Sequence, residues 1–178
     1  MKIAIISDIH SNLLALNLAL NSLKNENIDK ICFLGDYITD GYKDNEILTI
    51  IKKISDYAII GNREKYILNY SPEKKNFNNY KPIATTYNNL TSQNLKYIKS
   101  LKEYYIIKHN NFTILIIHGD KYYQDSETIE TTFNKIIADF DFDICLFGHT
   151  HRYLYQKYKN KYFINPGSIG QPCDSPHL

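Results

Sequence analysis

Five short groups of residues have the types and spacing of metal ligands: Asp8-Ile9-His10, Gly35-Asp36, Gly61-Asn62-Arg63-Glu64, His118-Gly119-Asp120 and Gly148-His149-Thr150-His151. Carboxylate and imidazole suit Mn, Fe, Zn or Ni. No thiolate joins them, which argues against a structural zinc site. Taken singly, each group is ordinary: Gly-Asp and Gly-Asn are turn signals, and His118 after an apolar run reads as a satisfied core histidine. Order and spacing carry the weight. Asp36 follows His10 by 26 residues and Asn62 follows Asp36 by the same interval, room each time for a helix and a returning strand. Residues two apart on an extended backbone project to one side, so Asp8 is expected to converge with His10, and His149 with His151. Six of the seven glycines (Gly35, Gly61, Gly119, Gly148, Gly167 and Gly170) fall in or beside these groups, where positive φ and close backbone approach help aim side chains into one pocket.

Each group except the third's tail closes an apolar run. The pattern predicts strands over 2–7, 31–34 and 57–60. Between them it predicts a Leu13, Leu16, Leu20, Leu23 helix capped by Ser11 or Asn12, and a helix opened by Asp44 with Ile47, Ile50, Ile51 and Ile54 on one face. Strand and helix in alternation imply βαβ units and a parallel sheet. From about 64 to 102 the chain turns polar, with helices expected over 82–90 and 92–101. Strands over 104–108 and 112–117, turning at Asn110 and Asn111, precede a helix over 127–138 and a strand over 144–147. A hairpin of 152–158 and 161–165 across Asn160 ends the pattern. With largely parallel strands, the five groups share one sheet edge, where α/β proteins place their sites.

Composition bounds the rest. At 178 residues, 43% hydrophobic, 22% charged and net charge +2, the chain fits one domain over 1–178. The mild charge disfavours nucleic acid as a partner. No apolar run approaches the roughly 20 residues that span a bilayer, and the run before Ser7 and Asp8 is too short for a signal-peptide core. Cys32, Cys145 and Cys173 are too few and scattered for a disulfide framework, which favours a reducing, cytoplasmic setting. The sixteen tyrosines and absent tryptophan read as codon bias of an AT-rich genome.

The ordered set Asp8-x-His10, Gly35-Asp36, Gly61-Asn62, His118-Gly119-Asp120 and Gly148-His149-x-His151 resembles the motif series of the calcineurin-like metallophosphoesterases. It looks closest to their small bacterial phosphodiesterase-type branch, which also carries a sequence like Asn165-Pro166-Gly167-Ser168. The resemblance runs from residue 1 to about 172. It implies an α/β fold built as a four-layer αββα sandwich, two mixed β-sheets flanked by helices. It also implies two divalent metals, manganese first and Fe, Zn, Ni, Mg or Co as alternatives. By matching motif, Asp8, His10, Asp36 and His151 would hold one, and Asp36, Asn62, His118 and His149 the other, with Asp36 bridging. Two such ions about 3.5–4 Å apart can ionise a shared water and stabilise a phosphoryl transition state. Asp36, Asn62, Arg63 and His118 are then the expected catalytic residues. The implied activity is hydrolysis of phosphodiester or phosphoanhydride bonds in small or nucleotide-like substrates by a metal-activated hydroxide. A serine/threonine protein phosphatase, another phosphomonoesterase, and an inert scaffold of the same fold are the alternatives.

Two departures qualify the resemblance. Many relatives have His after Gly-Asn; here Arg63 stands there, a poor general acid but a good phosphate clamp, which favours activated or pyrophosphate-type substrates. Relatives of the branch commonly have Arg after Gly-Gln-Pro and further strands beyond. Cys173 stands in that place and the sequence stops at Leu178, so the chain reads as naturally short or truncated, with an open sheet edge that could form a homodimer. Asp120 is expected to orient a ligand histidine or to cap the next segment. Residues 64–102 read as a cap-like helical insertion, with Tyr66, Tyr70, Tyr80, Tyr87 and Tyr97 as its candidate substrate-facing side chains.

Overall fold

The computed structural model describes residues 1–71 and 81–174. Its elements in order are β1 (Ile3–Ile6), α1 (Leu13–Ser22), β2 (Lys30–Phe33), α2 (Asp44–Ile54), β3 (Tyr57–Ala58), α3 (Asn62–Asn69), α4 (Lys81–Asn89), α5 (Ser92–Ser100), β4 (Tyr104–His109), β5 (Phe112–Ile117), α6 (Ile129–Asp139), β6 (Ile144–Leu146), β7 (Tyr153–Tyr158) and β8 (Lys161–Pro166). The strands form two sheets, β1-β2-β3 and β4-β5-β6-β8-β7. In the first, β1 pairs with β2 and β2 with β3 in parallel. The second is mixed: β5, β6 and β8 run parallel, while β4 and β7 lie antiparallel on its two edges.

Alternation along the strands explains why the sheets stack. Ile3, Ile5, Cys32 and Leu34 point one way and pack against Ile114, Ile116, Leu146 and Ile164, forming the core between the sheets. Their neighbours Ile6, Phe33 and Ala58 point the other way, against Leu16, Ile47, Ile51, Ile67, Ile83 and Ile98 of the helices. On the far side Leu115, Ile117 and Phe163 pack on Phe133 and Ile136 of α6. Helices, sheet, sheet and helix give the four-layer αββα arrangement.

Side-chain caps start three of the helices. The Asn12 side chain accepts from the Ala15 N–H at 3.0 Å and caps α1, while Ser11 turns instead to Asp44. Thr91 and Thr128 cap α5 and α6 in the same way. The β7–β8 hairpin turns on Lys159 and Asn160, both at positive φ, the geometry that matches strand twist in a tight turn. One helix is additional to the expected set. α3 starts at Asn62, ahead of the polar 64–102 stretch whose helices are expected only over 82–90 and 92–101, and it forms because Ile67 and Glu64 on one of its faces are fully buried. Tyr70, Tyr87 and Tyr97 pack against the first core, and the Tyr70 and Tyr87 rings stand 5.0 Å apart. Tyr66 is exposed, and Tyr80 lies outside the described residues. Among the described residues no helix is long and apolar enough to cross a membrane.

Candidate metal centre

Parallel strands bring the ligand groups to one edge, and left-handed backbone aims them. Asp8, His10, Asp36, His149 and His151 all have positive φ, between 46° and 67°. The extended i, i+2 projection expected for the Asp8/His10 and His149/His151 pairs is therefore not how they converge. Each strand has already ended, and a left-handed residue turns the side chain inward. Asp and His tolerate this region better than most residues. The rest is close approach. A methyl group at Gly61 would collide with the carboxylate and backbone nitrogen of Asp36, so only glycine lets the Asp36 loop and the start of α3 touch.

Asp8, His10 and His151 form one group. His10 Nε2 and His151 Nε2 stand 3.1 Å apart, and His151 Nε2 lies 3.3 Å from Asp8 Oδ1. His151 donates its Nδ1–H to the Gln171 carbonyl at 2.8 Å, and His10 Nδ1 faces Asp40 Oδ2 at 3.4 Å. The Gln171 carbonyl thus keeps the His151 Nδ1 proton away from the gap. Asp8 Oδ2 accepts from the Ser7 hydroxyl at 2.5 Å and the His149 N–H at 3.1 Å, whereas buried Oδ1 has no hydrogen-bond partner among the described residues. Two imidazole nitrogens and an unpartnered carboxylate oxygen face one gap, an arrangement that fits a cation.

Asp36, His118 and His149 form the second group. His118 donates Nδ1–H to the Leu34 carbonyl at 2.7 Å, which points Nε2 at Asp36 Oδ1, 3.4 Å away. Asn62 Oδ1 lies 2.9 Å from both His118 Nε2 and His149 Nδ1. Asp36 stands between the groups, with Oδ2 3.8 Å from His10 Nε2. Within each group of three the ligand atoms lie within 4.8 Å of one another. All seven expected metal ligands are thus gathered, and Arg63 stands at the rim with its Nη2 3.3 Å from Asp40 Oδ2.

Charge in the site is strongly coupled. Burial alone would raise the Asp36 carboxyl, but His118, the Arg63 N–H at 2.8 Å and His10 together hold it well below the usual carboxylate range. Burial would likewise discharge His118, yet the Asp36 charge overrides it and pushes the imidazolium up to about 10. That proton occupies the face a cation would take.

A profile described as the calcineurin-like phosphoesterase superfamily domain matches residues 1–178. The chain belongs to that superfamily. This phosphoesterase is 34% identical to the uncharacterized protein MJ0912 of Methanocaldococcus jannaschii over 97% of this chain and 77% of that protein. It is 24% identical to phosphodiesterase MJ0936 of the same organism, over 94% of this chain and 83% of that protein. A crystal structure of a metallophosphoesterase from Sphaerobacter thermophilus superposes with a TM-score of 0.75 at 26% identity, covering 97% of this chain and 78% of that one.

Two carboxylates of the candidate site carry roles that the sequence did not suggest. Glu64, fully buried, accepts from three backbone N–H groups: Asp36 and Gly61 at 2.9 Å and Tyr37 at 2.8 Å. Burial and the Asp36 charge push its carboxyl up to about 7. The capping-box spacing Gly61-x-x-Glu64 was the available signal. Asp40, at positive φ, sets its carboxylate between His10 and Arg63, and nothing in its local sequence marks it. Asp120 departs from expectation. Its carboxylate grips Lys65 at 2.8 and 3.0 Å and so ties α3 to the loop after β5 instead of orienting a histidine.

Proposed function

We propose that the protein hydrolyses phosphodiester or phosphoanhydride bonds of small, nucleotide-like substrates with two divalent cations, manganese in first place. One cation would be held by Asp8, His10, Asp36 and His151, the other by Asp36, Asn62, His118 and His149. The observation that carries this reading is Asp36, whose two oxygens face the two histidine groups separately. When bound, such a pair of cations supplies Lewis-acid stabilisation of phosphoryl oxygens and makes water a stronger nucleophile.

The chain's own residues then have defined work. Ser7 and the His149 N–H hold Asp8 by one oxygen and leave the other for the site. The Leu34 and Gln171 carbonyls fix the His118 and His151 rings. Arg63, steadied by Asp40, stays charged at any ordinary pH and binds phosphate oxygens without protonating a leaving group. Substrates whose leaving group departs as an anion are favoured accordingly. The 1–178 chain would act as one domain, with 64–102 as a helical insertion bordering the site. Lys81 and Pro82 at the start of α4 share a cavity of about 220 Å³ with Asp40, Gly41 and Tyr42, which supports a limit on substrate size there. The free cysteines support a cytoplasmic setting.

The test is a panel of metals (Mn, Ni, Mg, Zn) against an aryl phosphodiester, an aryl phosphomonoester, a dinucleoside polyphosphate and a phosphopeptide. Metal-dependent turnover is expected to favour the diester and the polyphosphate. Absence of turnover under every condition, with two cations bound per chain, would sink the proposal.

A further inference from the structure

Of the 21 basic side chains in the sequence only two are arginine, Arg63 and Arg152. Each stands one residue past a ligand, Arg63 after Asn62 and Arg152 after His151. Arginine differs from lysine in presenting a rigid planar fork that matches phosphate oxygens two at a time. The two occupy different flanks of the centre. Arg63 faces Asp36 and Asp40 on the His10 side. Arg152 instead lines a cavity of about 390 Å³ together with His149, Tyr123 and Thr150.

That cavity does not end there. A second one, of about 410 Å³, shares Tyr123, Asp125, Thr150 and Arg152 with it and continues to Tyr153 and Leu154. One groove therefore leads away from His149 with Arg152 on its wall. Of the groove's carboxylates, Asp125 accepts from the Tyr123 hydroxyl on the groove wall and Glu127 pairs with Lys135 at 2.5 Å. The exposed Arg152 guanidinium makes no hydrogen bond or ion pair among the described residues. Its positive charge is thus available beside the second ligand group.

We propose that Arg152 binds a second phosphate of the substrate, so that the groove selects phosphoesters carrying a chain of phosphates, the nucleoside polyphosphate class. One phosphoryl group lies at the cation centre near Arg63 and the next oxyanion lies on Arg152. This deepens the proposed phosphoesterase function and rests on it.

The test compares wild type with Arg152→Gln and Arg152→Lys, using a dinucleoside tetraphosphate and a dinucleoside monophosphate. Dissociation constants come from calorimetry, with manganese equal and saturating in cell and syringe, and kcat/KM is measured in parallel. Because the side chain is exposed, both variants should fold as wild type does. The preference for tetraphosphate over monophosphate is expected to fall at least about tenfold in Arg152→Gln, the scale of one charged hydrogen-bonded contact, and by less in Arg152→Lys. An unchanged preference, or an equal loss for both ligands, overturns the assignment. If neither compound is hydrolysed but the binding preference shifts, the phosphoesterase reading fails and the Arg152 site stands. If both are hydrolysed and the preference does not move, the reverse holds.

Discussion

Replacing Glu64 is expected to be far more damaging than its place beside the site suggests. Its carboxylate is the acceptor for the backbone N–H groups of Asp36, Tyr37 and Gly61, and a Glu64→Ala variant leaves all three buried with no partner. An orphaned buried donor costs about 1–3 kcal/mol, so the lower limit for three is about 3 kcal/mol. That is a large part of a typical total of about 5–15 kcal/mol. In a chain of this size it corresponds to a fall in Tm of about 6–12 °C. Glu64→Gln keeps one acceptor oxygen and points an amide at the remaining donor, so a smaller loss of about 1–3 kcal/mol is expected. Urea unfolding of the three proteins, followed by circular dichroism, gives the values. Calorimetry with Mn²⁺ should show weakened binding in both variants, because the tie also fixes the Asp36 loop. A Glu64→Ala protein within about 1 kcal/mol of wild type would refute the idea that this carboxylate holds the loop to α3.

Three further outcomes are expected. Asp36→Asn should weaken both cations by at least about tenfold, measured as metal content after dialysis at fixed free metal; loss of one alone contradicts its place between the groups. Cation uptake should release a proton from His118, whose pKa is raised to about 10. Apparent affinity then rises with pH by about tenfold per unit while that proton remains to be displaced, and a flat profile between pH 7 and 9 would contradict this. Finally, burial pushes the Cys32 thiol up to about 12 and Cys145 higher still, while Cys173 is exposed. A thiol reagent followed by absorbance should label one equivalent in the native protein and the other two only on unfolding.

The convergence of the candidate ligand groups was legible because each sits at a strand end, and strands announce themselves as short apolar runs. Asp8, Asp36, His118 and His149 follow 3–6, 30–33, 112–117 and 144–146 within a few residues. Helix α3 was not legible. Only Ile67 and Leu68 are strongly apolar in its eight residues, and one of its two buried side chains is a carboxylate, Glu64. The carboxylates of Asp40 and Glu64 look in sequence like a turn residue and a helix-surface residue. Their partners lie at distances in the chain that no local pattern encodes, such as the 28 residues between Asp36 and Glu64. The left-handed turns after the strands escaped as well, since Asp and His mark them far less clearly than glycine does.

Those turns also limit how such a site can decay over generations. A ligand whose backbone sits at φ near +50° cannot drift freely once its chemistry is no longer needed. Valine, isoleucine or threonine there would strain the loop that follows the strand, whatever happens to the metal. Asparagine and glycine keep the backbone shape, so a lineage that abandons catalysis while retaining this architecture should pass through those two residue types first. Position 8, buried and packed on Ser7, His149 and Gly170, has the narrowest exit of all.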